Sequence, residues 1–149
     1  MSFDLYCRDS GSESFSRNNW GWSLLCDGLI EYGAIGERIP RDRRPKWPSR
    51  PGDEHFDDND EPVDDIGRAY AASLEQHLAW KPDGTVLPPW HKFDDNSGWI
   101  VTAAERAAML EAIAVRGQPE SSAGLNSSTW PEFLNFLIYC ANHEGFEVR

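Results

Sequence analysis

His91 stands three and four residues ahead of two carboxylates, Asp94 and Asp95, and this is the one spacing in the chain suited to general acid–base work. An imidazole titrates near neutrality and a nearby carboxylate can orient it, so the trio suits a small hydrolase. The other histidines, His55, His77 and His143, are dispersed, and none has the His-x-x-x-His spacing of a zinc site. The acidic run Asp57-Asp58-Asn59-Asp60-Glu61 invites a calcium reading. An EF-hand loop begun at Asp57 puts Pro62 at the required glycine and Arg68 at the required glutamate. One begun at Asp94 puts Trp99 at the glycine, so both fail. No Gly-x-Ser-x-Gly elbow is present, and Gly33-Ala34-Ile35-Gly36 follows a helix instead of opening one, so it offers no phosphate cradle. The sequence therefore offers no metal ligand set and no cofactor motif, and His91 is its sole acid–base candidate.

The elements that must position these residues read as α+β. Ser2 to Cys7 alternates Phe3, Leu5 and Cys7 with polar residues, the period of a half-buried strand, and Arg8 to Arg17 reads as a polar loop. Asn18 or Asn19 caps a helix to about Tyr32, in which Trp22, Leu25, Cys26 and Leu29 form a stripe that Trp20, Leu24 and Ile30 widen. A second helix runs from Asp64 or Asp65 to about Trp80, with Tyr70, Leu74, His77 and Leu78 on one face. Pro82-Asp83-Gly84 is a turn, Val86-Leu87 a short strand, and Trp99 to Val101 a strand leaving the turn at Asp94 to Gly98. Thr102-x-x-Glu105 has capping-box form, and Met109, Leu110 and Ile113 give that helix its buried face. Thr129-x-x-Glu132 repeats the form, with Pro131 in the first turn and Phe133, Phe136, Leu137 and Cys140 facing inward. Gly145 stops that helix, and Phe146 to Val148 is a strand able to pair with the first. About four packed helices and a small sheet result, in a single domain over 1–149.

Residues 37–65 differ in kind. Arg38, Arg41, Arg43, Arg44, Lys46 and Arg50 sit among Pro40, Pro45, Pro48 and Pro51, ahead of Asp53, Glu54, Asp57, Asp58, Asp60, Glu61, Asp64 and Asp65. Proline removes amide donors and favours extended backbone, so this is a long excursion in which a basic block can neutralise an acidic one. The segment Arg41 to Arg50, with Trp47, has the residue types to grip phosphate and stack on a base. The adjacent acids and a net charge of −11 oppose that, and they oppose anionic membranes equally. The start shows no signal-peptide pattern, and the apolar run from Phe133 to Ala141 is too short to span a bilayer. Cys7, Cys26 and Cys140 have no metal or redox spacing and read as buried, reduced thiols of a cytoplasmic protein.

The pattern Trp80-x-Pro82-x-Gly84-Thr85, the turn at Asp95 to Gly98 before a Thr-capped helix, and the ending Gly145-Phe146-Glu147-Val148 resemble a group of small uncharacterised bacterial proteins. The resemblance covers the chain from about residue 79 onward and implies a shared fold without an activity. A small, acidic chain without a catalytic motif has the character of a non-catalytic binding protein. The expectation is a bacterial immunity or antitoxin-type inhibitor that blocks a basic protein, such as a secreted toxin, through an acidic surface. Its expected contacts are Asp53, Glu54, Asp57, Asp58, Asp60, Glu61, Asp64, Asp65, Trp90, Asp94 and Asp95. The alternatives are the His91 hydrolase and a self-associating structural or regulatory module.

Overall fold

Alternation of apolar and polar side chains builds the sheet. In β1 (Ser2–Cys7), Phe3, Leu5 and Cys7 are buried while Asp4 and Tyr6 are half-exposed. The computed structural model describes residues 2–9 and 14–149 of the chain. β2 (Ser14–Asn18), β3 (Trp99–Val101) and β4 (Phe146–Val148) complete an antiparallel sheet of order β2-β1-β4-β3. Leu5 and Trp99 both face Val148, and Cys7 and Val101 both face Phe146, so the buried residues of three strands share one side. The polar loop expected over Arg8 to Arg17 is corrected, because Ser14 to Asn18 pairs with β1; residues 10–13 lie outside the described residues. Phe15 is the lone inward apolar residue of that edge strand, so its pattern carries almost no hydrophobic signal. The strand expected at Val86-Leu87 is not formed. Pro88 and Pro89 follow it and lack the amide donors a ladder needs.

The helices begin where capping chemistry places them. The Asn18 side chain accepts the Gly21 amide at 2.9 Å and opens α1 (Asn19–Glu31). Trp22, Leu25, Cys26 and Leu29 are buried, but Trp20 is 65% exposed and Ile30 51% exposed, so the expected stripe is narrower. Two residues turn a helix by about 200°, which puts Trp20 on the far side from Trp22. In α3 (Ala103–Ile113), Thr102 Oγ1 accepts the Glu105 amide and Glu105 Oε1 accepts the Thr102 amide, the full capping box. The second expected box does not form. α4 (Thr129–Tyr139) starts at Thr129 itself, and the Glu132 carboxylate pairs with Arg17 of β2.

α1 packs on β1 and β2, and α4 packs on β2 and α3. Phe3 stacks on Trp22 at 4.7 Å, Phe15 meets Phe133 edge-on at 5.5 Å, and Phe136 meets Phe146 at 5.4 Å. Gly145 has φ of +92°, and a Cβ there would strike the Val101 carbonyl oxygen where β4 turns in beside β3. Cys7 and Cys140 are joined in a disulfide whose Cα atoms are 5.8 Å apart, tying β1 to the end of α4; Cys26 alone is free. This corrects the expectation of three reduced thiols. It also removes the support those thiols lent to a cytoplasmic setting, since disulfides persist in oxidising compartments. Among the described residues no helix is long and apolar enough to cross a membrane.

The chain divides into two compact units, Met1–Ile39 with Lys81–Arg149, and Pro40–Trp80. The first holds the sheet, α1, α3 and α4. The second holds most of the charged excursion together with α2 (Asp65–Ala79), which Asp64 caps.

Candidate functional site

Eight of the expected contact residues, Asp53 through Asp65, belong to the second unit, and Trp90, Asp94 and Asp95 belong to the first. In the second unit the acidic run is built as a tight turn. The Asp57 amide donates to the Glu61 carbonyl at 2.9 Å, and Phe56 bridges to Pro62. Asp57 Oδ1 accepts the amides of Asn59 and Glu61, both at 2.9 Å, so its carboxylate is engaged in closing the turn. Asp60 takes a φ of +66°, a left-handed conformation that aspartate tolerates better than most residues. Asp58, Asp60 and Glu61 are left on the exposed surface.

The basic block answers this run through Arg50. Its guanidinium lies over the Phe56 ring at 4.1 Å, with Nη2 2.6 Å from Asp60 and 3.6 Å from Asp53. Phe56 in turn meets Tyr70 of α2 edge-on at 5.9 Å. Gly67 lets the chain cross the first turn of α2 closely, since a Cβ there would collide with the His55 carbonyl oxygen. Trp47 packs on His77 at 4.1 Å, and burial pushes the His77 pKa down, which keeps that ring neutral. Asp65 pairs with Arg68 across one helical turn, and Glu54 lies 3.5 Å from His55 Nε2.

Asp64 joins these parts. Its Oδ1 accepts the Gly67 amide at 2.8 Å and its Oδ2 lies 2.6 Å from His55 Nδ1. The Gly67 amide first, and His55 second, hold its carboxyl below the ordinary value. A carboxyl depressed in the folded state adds stability that is present above its unfolded pKa and lost as pH falls through the folded value. Acid titration is therefore expected to move the Gly67 amide NMR signal only at pH below the ordinary carboxylate range. Asp64→Asn, which keeps a capping side chain, should flatten that step; an unchanged acid profile would show that Asp64 does not hold the corner.

In the first unit Trp90 opens a short 3-10 turn, Trp90–Phe93. The Arg38 guanidinium lies over its ring at 4.7 Å, with Nη2 3.9 Å from Asp94 Oδ2. Asp95 Oδ1 accepts the Trp99 indole N–H at 2.7 Å and the Ser97 amide at 3.0 Å. His91 is fully buried, with its ring edge-on to Trp99 at 4.8 Å. The acid–base trio thus has an enclosed imidazole and carboxylates directed to other partners, and the hydrolase reading gains nothing from this geometry. Among the described residues no three His, Cys, Asp or Glu side chains converge as a metal-binding group.

Lys92 turns inward where its charge suggests the surface. Both it and Glu105 are fully buried, and its Nζ donates to Glu105 Oε1 at 2.8 Å and to the Ile100 carbonyl at 2.7 Å. Burial pushes the lysine pKa down while Glu105 holds it up. The Trp22 indole donates to the Phe93 carbonyl at 2.8 Å. The Trp90–Phe93 turn is thereby pinned to β3, α3 and α1, which gives Trp90 and Asp94 a rigid base.

Trp90 and Asp94 form one wall of a cleft of about 420 Å³. Phe3, Trp22 and Phe93 line it within, and Asn19, Ser23, Asp27 and Ile30 of α1 form the opposite rim. Cys26 also lines it, and its thiol is pushed up to about 12 by burial, then by Asp27 and Asp94, so it stays protonated and is no nucleophile. Asp27 and Arg38 escape the sequence reading as site residues. The available signal is that Asp27 falls on the outer face of α1 beside Ser23, but its sharing a cleft with Trp90 is a tertiary event. Comparisons with protein-family models, curated proteins and solved structures give no significant match to this chain.

Proposed function

We propose that the protein is a non-catalytic binder of a basic protein, acting as a bacterial immunity protein or antitoxin-type inhibitor that occludes a secreted toxin. The observation that supports this best is the acidic turn at Asp57 to Glu61. It is held in one conformation by its own Asp57 bonds and by Arg50, with Asp58, Asp60 and Glu61 exposed. A preorganised acidic surface loses little entropy on docking, and a net charge of −11 steers a cationic partner towards it. The partner's chemistry follows from that field: a protein whose working cleft is rich in lysine and arginine.

The test is genetic and direct. A gene for a basic toxin is expected next to this one, and co-expression should restore growth to cells making that toxin. A locus without such a gene, or a neighbouring toxin that this protein fails to neutralise, would remove the reading.

A further inference from the structure

We infer that the cleft between α1 and the Trp90–Phe93 turn is a receptor for one arginine side chain presented by a protein partner, which would compete with Arg38 for Trp90 and Asp94. This rests on the reading of the protein as a binder of a basic partner. Three observations define the occupant. The cleft is lined within by the buried side chains of Phe3, Trp22 and Phe93, so it favours an occupant with an apolar stem. The rim carries carboxylates from two separate segments, Asp27 on α1 and Asp94 on the turn, so it favours a cation. Trp90 already takes a guanidinium on its face, from an Arg38 side chain that is 71% exposed.

The resident contact is loose. Arg38 stands 3.9 Å from Asp94, beyond hydrogen-bond reach, and among the described residues Asp27 makes no ion pair. An incoming arginine lodged in the cleft meets carboxylates from both segments that line it, where Arg38 approaches one. Arginine suits this better than lysine because its planar guanidinium both stacks on indole and bonds carboxylates in a fork. An anion or a purely apolar segment would have to desolvate the two carboxylates without pairing them.

The probe is the acetylated, amidated tripeptide Gly-Arg-Gly, titrated into the full-length protein and followed by the indole and amide NMR signals. The Trp90 indole and the Asp27 and Asp94 amides are expected to shift saturably. The citrulline tripeptide, of the same shape without charge, should bind at least about tenfold more weakly. Asp27→Asn and Asp94→Asn should each weaken binding about fivefold, and Arg38→Ala, which removes the competitor, should tighten it about threefold. Equal binding of the citrulline peptide, or affinity unchanged in both carboxamide variants, would overturn the proposal. A filled cleft in a protein that neutralises no toxin supports the arginine site and sinks only the inhibitor reading. Neutralisation of a toxin whose affinity is unmoved by Asp27→Asn with Asp94→Asn sinks the arginine site and leaves the inhibitor reading standing.

Discussion

Replacing Cys7 and Cys140 with serine is expected to lower the unfolding free energy by about 3–5 kcal/mol. The bond joins residues 133 apart in sequence, so the loop it closes in the unfolded state is long and its closure entropy large. A domain of this size holds about 5–15 kcal/mol in all, which makes the bond a large share of the total. Its location sharpens the effect. β1 and β4 are both terminal strands paired through Leu5, Tyr6 and Cys7, and the disulfide fixes β1 to the segment that leads into β4. A urea titration with and without reductant reads this directly. The midpoint should fall on reduction to the value of the double serine variant, while Cys26→Ala should leave most of the difference between oxidised and reduced protein intact. A midpoint indifferent to reductant would show that the two thiols are not paired.

Glu105→Ala is expected to cost a similar amount, about 3–5 kcal/mol, because it leaves the Lys92 ammonium buried without its counter-ion. The same change removes half of the capping box at the start of α3. Replacing both partners by residues of similar volume, Lys92→Met with Glu105→Leu, should return stability to within about 2 kcal/mol of the parent, since two buried charges then disappear together. Denaturant unfolding of the two single variants and the double separates these outcomes. A double variant as unstable as Glu105→Ala would mean that the pair contributes more than its own mutual neutralisation. The pair also matters for the cleft. If it pins the Trp90–Phe93 turn, the Trp90 indole signal should broaden or shift in Glu105→Ala before global unfolding.

Much of the frame is legible in residue order. The side chains of Asn18, Asp64 and Thr102 cap the three helices they were expected to open, because a cap depends only on a short polar side chain and amides two or three residues away. β1 is legible for the same local reason, its alternation of Phe3, Leu5 and Cys7. What fails is whatever depends on distant partners. β2 exists because β1 offers it a ladder, and Glu132 abandons its own cap because Arg17 is within reach. The Cys7–Cys140 bond could not be read from spacing, since residues so far apart in sequence leave no signature of proximity. Lys92 and Glu105 read as surface residues by type, and only their mutual pairing inside the fold makes burial tolerable.

The candidate contacts divide in the same way. The acidic run from Asp53 to Asp65 is visible as composition, but its shape is set by bonds that composition does not reveal, chiefly those of Asp57 and Arg50. Trp90 and Asp94 stand out locally, while Asp27 and Arg38 become site residues only when α1 and the segment after it are folded beside them.

We propose that an acidic, preordered surface captures a basic protein, and the most direct test is the association rate constant between this protein and the basic toxin proposed as its partner, followed as salt is added. The rate should fall steeply with ionic strength, and Asp58→Asn with Glu61→Gln, which leaves the Arg50–Asp60 pair in place, should slow it further. An association rate indifferent to salt and to those two neutralisations would contradict it.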